Sequence, residues 1–376
     1  MKKLVSALLA TAMVMGLATM SMAATISYSG RVHFEVNSVD MVSASCDDLW
    51  FDVDYATVLG EEGSPWSAGA KLRVKRPDVV EAITNTTTTP ATTTDVSGTN
   101  AVALEGAGYI KYTAEMFNVS FKTDFDAGVG KDLVDKFPIQ WAPGIELNVI
   151  PMEGLTATVM VNEASATVGT DHVVSALGKV VYVGEGLEVG GGYLMNPSGT
   201  TASADDKSAY NVWGSYKLLD MVTVGAEYSN RTTAGNAENA YLAKVGFAPA
   251  EMPIELNARY NYRTNGYFIK DDTGSENFCL ADRFWDTTTA AKMVTDGVDG
   301  AYLASVDGAF KIDDTLKVGA AVDYTDIKFK DLNGKDVQLG YKAYVSKKIV
   351  DGLEAEAGYK SFIDNKIYVG MTATLK

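Results

Sequence analysis

The stretch TLKVGAAVDYT, Thr315 to Thr325, decides how the chain folds. Leu316, Val318, Ala320, Val322 and Tyr324 alternate with Lys317, Gly319, Ala321, Asp323 and Thr325. Side chains along a strand point to opposite faces in turn, so this is a two-faced β-strand with a period of 2. In a soluble sandwich the apolar face points into a protein core. In a membrane barrel it points outward into lipid, and the polar face meets water inside.

The same alternation recurs along the chain. Ile26, Tyr28, Val32, Phe34 and Val36 oppose Ser27, Arg31, His33 and Glu35; Leu49, Phe51, Val53 and Tyr55 oppose Asp48, Asp52 and Asp54. Trp66, Ala68, Ala70, Leu72 and Val74 then oppose Lys71, Arg73 and Lys75. The reading yields eighteen strands, or sixteen if the weak segments merge, and no long amphipathic helix. The weakest are 139–149, interrupted by Pro143, and 172–183.

Connections alternate between short ones, such as 113–116, 151–154, 184–186, 218–220 and 313–314, and longer ones at 76–100, 196–205 and 264–297. Membrane barrels have this asymmetry, with tight periplasmic turns on one rim and larger loops on the other. Tyr193, Tyr228, Tyr260, Tyr324 and Tyr359 close upward strands, and Tyr210, Tyr241, Tyr302 and Tyr341 open downward ones. These nine lie at one height, with Tyr182, Tyr216, Phe247 and Phe310 at the other rim. Amphipathic rings favour the two membrane interfaces. A closed antiparallel transmembrane β-barrel with short periplasmic turns and longer extracellular loops is therefore expected, since backbone in hydrocarbon must be paired within the protein.

The ends and composition set the compartment. Lys2 and Lys3 precede the uncharged apolar run Leu4 to Leu17, and Ser21-Met22-Ala23 supplies small residues for cleavage. Residues 1–23 read as a secretory signal peptide and 24–376 as the barrel. Losing Lys2 and Lys3 takes the net charge from −16 to −18, which argues against nucleic acid as a partner. Cys46 and Cys279 are candidates for one disulfide in an exported chain, and neither has a second ligand at metal spacing. No cofactor is expected. The chain has two histidines, His33 and His172, and no GxSxG-like elbow, so it does not read as an enzyme.

From ATISYSGRVHFEV (24–36) to KIYVGMTATLK (366–376), with VTVGAEY, LKVGAAVDY and LEAEAGY between, the mature chain resembles bacterial outer-membrane porins. The resemblance implies an outer-membrane location in contact with lipid, passive diffusion of small hydrophilic solutes and ions, and a homotrimer. It departs in two places. The chain ends Leu375-Lys376 rather than on an aromatic residue, which points to another lineage than the best-known proteobacterial porins. The connection after the fifth strand, often the constriction loop in porins, is only AGVGKDLVDK (127–136).

The function of a pore lies in its lining. Expected pore-lining residues are Arg31, His33, Asp52, Asp54, Lys71, Arg73, Lys75, Arg231, Arg259, Arg263, Lys317, Asp323, Glu354 and Glu356. Acidic and basic rows on adjacent strands either form a transverse field or neutralise one another as cross-strand pairs. The aromatic-rich connection 264–297 is the expected constriction, with Asp282, Arg283, Trp285 and Asp286 near the narrowest point. A Cys46–Cys279 bridge would tether it over the mouth, and the Thr-rich loop 76–100 reads as hydrated surface. Two rival functions are a structural or adhesive barrel acting through its outer loops, and a channel specific for a sugar or an ion.

Overall fold

The computed structural model describes residues 25–37, 45–61, 63–75, 103–123, 126–127, 129–131, 133, 139–140, 143–164, 173–195, 208–233, 236–264, 293–294, 300–330, 334–362 and 365–375. The leader 1–23, the Thr-rich loop 76–100, Cys279 and the constriction candidates Asp282, Arg283, Trp285 and Asp286 lie outside these residues.

Twenty-one strands, and no helix, are found among the described residues: β1 (Thr25–Asn37), β2 (Ser45–Val58), β3 (Trp66–Lys75), β4 (Ala103–Thr113), β5 (Phe117–Lys122), β6 (Asp126–Ala127), β7 (Ile139–Gln140), β8 (Gly144–Met152), β9 (Leu155–Ala164), β10 (Val173–Gly184), β11 (Leu187–Met195), β12 (Ser208–Leu218), β13 (Val222–Thr233), β14 (Asn236–Phe247), β15 (Ile254–Thr264), β16 (Met293–Val294), β17 (Gly300–Lys311), β18 (Leu316–Lys330), β19 (Asp336–Val350), β20 (Leu353–Ser361) and β21 (Asn365–Leu375). β6, β7 and β16 are two residues long, which leaves eighteen long strands. The sheet holds 19 strands, because β16 adds to β18 from within the long connection 264–297; β6 and β7 pair separately.

Each long strand pairs antiparallel with the long strand before and after it. β1 also pairs with β21, from Gly30↔Leu375 to Asn37↔Tyr368. The expected strand 139–149 is split at Pro143, whose missing N–H cannot join a ladder: Ile139–Gln140 pairs with β6, and β8 starts at Gly144. β2 starts at Ser45, so Cys46 belongs to the strand rather than to the preceding loop.

The two faces of the sheet have opposite chemistry to a soluble core. In β18, Val318, Val322 and Tyr324 are exposed (Val322 46%), whereas Ala321, Asp323 and Thr325 are buried (Asp323 0%). Elsewhere the exposed face carries Ile110, Phe121, Ile145, Val159, Val212, Val245, Leu256, Val306 and Val345. The buried face carries Asp52, Ser120, Glu146, Asn162, Asn211, Glu227, Arg231, Asn261, Arg263 and Ser346. A soluble monomer does not leave so continuous an apolar surface bare.

Tyrosines on the exposed face touch across strands. Ring centroids are 5.7 Å apart for Tyr210–Tyr228, 5.0 Å for Tyr228–Tyr241 and 6.0 Å for Tyr241–Tyr262. A second arc joins Tyr260, Tyr302 and Tyr324 at 5.8 and 5.9 Å, and Tyr341–Tyr359 stand 5.9 Å apart. Tyr262, absent from the expected row, completes the first arc.

Short turns carry their own local signals. Glu185 and Gly186 both have positive φ (49° and 79°), the geometry of a type I′ hairpin, whose twist matches the flanking strands. In the turn 312–315, the Asp313 carboxylate accepts from the Thr315 N–H (2.7 Å), the Thr315 hydroxyl (2.8 Å) and the Leu316 N–H (2.9 Å). These donors hold the exposed Asp313 carboxyl below the usual aspartate range. A depressed folded pKa stabilises the turn above the ordinary aspartate pKa, and that stabilisation is lost as pH falls through the folded value. Amide protection at Thr315 and Leu316, corrected for intrinsic exchange, should therefore drop below about pH 4. In Asp313→Ala it should be low at neutral pH already; equal protection in both proteins would contradict this capping role.

Candidate functional site

Of the connection between β5 and β8, Val129, Gly130, Lys131 and Leu133 lie against the buried face of the sheet. Val129 is packed with Leu177 of β10, Leu194 of β11 and Ala209 of β12, with Met160 of β9 beside them. Leu133 packs on Ala240 and Leu242 of β14. These apolar anchors lie among the buried polar residues Asn162, Asn211 and Glu227, and each removes hydrocarbon from water at roughly 25 cal/mol per Å².

Between the anchors, the loop backbone is held by one carboxylate. Glu227 of β13, 5% exposed, accepts from the Lys131 N–H (2.8 Å), the Leu133 N–H (3.1 Å) and the Asn211 side-chain amide (2.8 Å). Lys131 forms an ion pair with Glu188 of β11, and the Lys179 ammonium donates to the Gly130 carbonyl at 3.3 Å while standing over the Trp213 ring. Gly130 is required here: a Cβ would lie 2.8 Å from the Leu133 carbonyl oxygen and 2.9 Å from Glu227 Oε1.

Among the described residues, then, the segment that narrows the space over the buried face is the short connection after the fifth strand. The expected constriction residues Asp282, Arg283, Trp285 and Asp286 of the connection 264–297 lie outside the described residues. Of that connection, only Thr264, at the end of β15, and Met293–Val294 are described.

The expected lining residues fall into three groups. Asp52, Lys71 and Arg73 come together: Asp52 accepts from Arg73 Nε and Nη2 at 2.7 and 2.8 Å, and Lys71 Nζ stands 2.7 Å away. Arg231 meets Glu238 at 2.6 Å, and Lys317 meets Glu354 at 3.4 Å. Glu356 binds Lys342 at 2.6 Å and accepts from the Tyr368 hydroxyl at 2.6 Å. Asp54 is the register partner of Lys71, and buried Asp323 accepts from the Ser305 hydroxyl at 2.5 Å. Buried Arg263 and half-buried Arg259 lie four residues apart on the same face of β15. Arg31, His33 and Lys75 are placed by backbone register alone, Arg31 and His33 opposite Thr374 and Thr372, and Lys75 opposite Trp50.

Asp52, Lys71, Arg73, Arg231, Lys317, Glu354 and Glu356 therefore stand in ion pairs between strands. Lys122–Glu146 (2.5 Å) repeats the pattern. Adjacent acidic and basic rows largely cancel, so the wall from β2 to β3 does not form one side of a transverse field.

The chain has the fold of the bacterial outer-membrane porins. It is similar to Pseudomonas aeruginosa OccK10 (OpdN), with a TM-score of 0.54 at 9% identity over 94% of this chain and 99% of that one. For P. aeruginosa OccK8 (OprE) the TM-score is 0.55 at 12% identity, over 94% and 98%. A mutant of the Rh. blastica porin aligns over 93% of this chain and 100% of its own, at 12% identity and a TM-score of 0.46. No family model and no curated protein matches the sequence.

Glu227 anchors the loop, and its removal should show. Glu227→Ala leaves two buried backbone donors without their acceptor, at about 1–3 kcal/mol each. Amide exchange at Lys131 and Leu133 should accelerate by about tenfold or more, the ratio that 1.4 kcal/mol corresponds to. Exchange in β18 and β19 should not change. Unaltered protection of the loop amides would show that Val129 and Leu133 hold it without the carboxylate.

Proposed function

We propose that the protein is an outer-membrane diffusion porin, a closed barrel that passes small hydrophilic solutes and ions through a water-filled lumen. The pairing of β1 with both β2 and β21 supports closure, since every long strand then has two neighbours. The observation that carries the reading is the inverted distribution of polarity, with Asp323, Arg231, Asn261 and Glu227 buried behind an exposed wall of valine, leucine and tyrosine. Barrels of 16 to 18 strands leave an aqueous channel, and small polar solutes are what such a lumen admits. The fold shared with OccK10 and OccK8 agrees with this architecture.

In this reading the exposed face meets lipid, the tyrosine arcs lie at one membrane interface, and the buried face lines the pore. The segment of Val129, Gly130, Lys131 and Leu133 narrows the lumen on the side of β9 to β14. Solutes pass between it and the facing wall, where Asp52 with Lys71 and Arg73, and Glu356 with Lys342, give a polar but locally balanced surface. Residues 1–23 direct export, and a homotrimer is the assembly that the resemblance implies.

Two measurements test this. Purified protein in planar bilayers should give stable open steps in potassium chloride; their absence would favour a structural barrel. Val322→Arg puts a charge on the proposed lipid face at depth and should destabilise the protein in vesicles by roughly 2–4 kcal/mol in urea unfolding. An unchanged unfolding midpoint would place that face elsewhere than in lipid.

A further inference from the structure

Two patterns recur on the buried face, and Asp54 and Tyr109 depart from them. In the first, an acid holds a lysine or arginine, as Asp52, Glu146, Glu188, Glu238, Glu354 and Glu356 do. Asp54 holds none. Its register partner Lys71 turns instead to Asp52 at 2.7 Å, and its other register partner is Ser27. Asp54 has no ion pair or hydrogen bond among the described residues.

In the second pattern an aromatic ring lies over a glycine of the next strand and carries a lysine ammonium. Trp213 covers Gly190 under Lys179, and Tyr344 covers Gly319 under Lys342, each ammonium 4.8 Å from the ring centroid. Tyr109 covers Gly69 as closely, since a Cβ there would lie 2.3 Å from its Cε1. No cation stands over the Tyr109 ring among the described residues.

The two exceptions meet. Asp54, Ala56, Lys71, Ala107, Tyr109 and Lys122 line one hollow of about 270 Å³ on the wall of β2 to β5. Register brings them together: Ala56 and Tyr109 both stand opposite Gly69, and Asp54 and Ala107 both stand opposite Lys71. Small side chains at 56, 69 and 107 leave the space that the ring and the carboxylate border. Lys71 is held by Asp52 and Lys122 by Glu146 (2.5 Å), so neither lysine neutralises Asp54. At about 30 Å³ for each water, the hollow has room for an organic cation and not only for a bare metal ion.

We propose that Asp54 and Tyr109 form a subsite for a small solute carrying an ammonium group, which stands against the Tyr109 ring with Asp54 as its counter-ion. This rests on the diffusion-pore reading, in which the hollow opens to channel water. A ring face attracts a cation through its quadrupole, and more strongly once the cation is partly desolvated. The carboxylate adds the opposite charge and accepts from any N–H the solute carries. Ala56 and Ala107 offer apolar surface to the methyl or methylene groups that flank such a nitrogen.

The test is saturation-transfer NMR on purified full-length protein in maltoside micelles, with choline chloride as the probe and neohexanol, its uncharged isostere, as the control. Choline should receive transfer that saturates with concentration, and neohexanol should bind severalfold more weakly. Asp54→Asn should raise the Kd for choline by about threefold or more, and Tyr109→Leu by a similar factor. Tyr109→Phe, which keeps the ring face, should stay within about twofold of the wild type.

Absence of saturable transfer to choline in the wild type would overturn the proposal. So would equal binding of choline and neohexanol, or an unchanged choline Kd in Asp54→Asn and Tyr109→Leu. Should Asp54→Asn fail to fold, Tyr109→Leu against Tyr109→Phe decides, and equal affinities there overturn it too. Absence of open steps for the wild type in planar bilayers is a different failure, that of the diffusion-pore reading.

Discussion

The interaction on which the rest of this structure depends is the backbone ladder between β1 and β21. Seventeen other contacts between neighbouring long strands need nothing beyond local hairpins and loops, but this one joins the two ends of the chain. In the proposed barrel it leaves no long strand with an unpaired edge, so that the sheet would present hydrocarbon on one face without exposing backbone polar groups to it. Alternation then assigns each side chain. A single-residue slip would turn Asp323 toward the apolar side and Val322 toward the polar side, so register and polarity enforce one another.

The buried face shows how a polar wall accommodates charge and a folded-in loop. Lysines and arginines there are held mostly by acids on the next strand, which keeps the side chains against the wall and leaves local charge nearly balanced. The inserted connection is held by hydrocarbon at two points and by the Glu227 carboxylate between them. The apolar islands set where the loop rests, and the carboxylate satisfies backbone donors that would otherwise lack acceptors.

Much of the fold was legible because period 2 is a strong local signal. Strand ends such as Leu187–Met195 and Leu353–Ser361 fall within a residue of where alternation puts them, and Val173–Gly184, a weak candidate, is a full strand. Neighbouring charges on β2 and β3 were also legible, and of their two outcomes pairing prevailed, because register sets Arg73 opposite Asp52. The loop was not legible. Its contacts reach from Lys131 and Leu133 to Glu227, some 96 and 94 residues away, and no local pattern encodes such a distance. One signal was present: Leu177, Leu194 and Leu242 occupy polar-face positions where a water-filled lumen has no use for leucine. Leucines at such positions are the footprint of a segment lying upon them.

The central claim is that the face carrying Val318, Val322 and Tyr324 meets lipid while the face carrying Ala321, Asp323 and Thr325 meets water. The most direct measurement is a spin-label scan of 316–325 in a Cys46→Ser, Cys279→Ser background, reconstituted in vesicles. Collision with oxygen, which concentrates in lipid, and with a water-soluble nickel chelate should oscillate with a period of two residues and in opposite phase, oxygen highest at 318, 320, 322 and 324. Oscillation in the same phase for both reagents, or nickel access highest at Val322, would contradict the account.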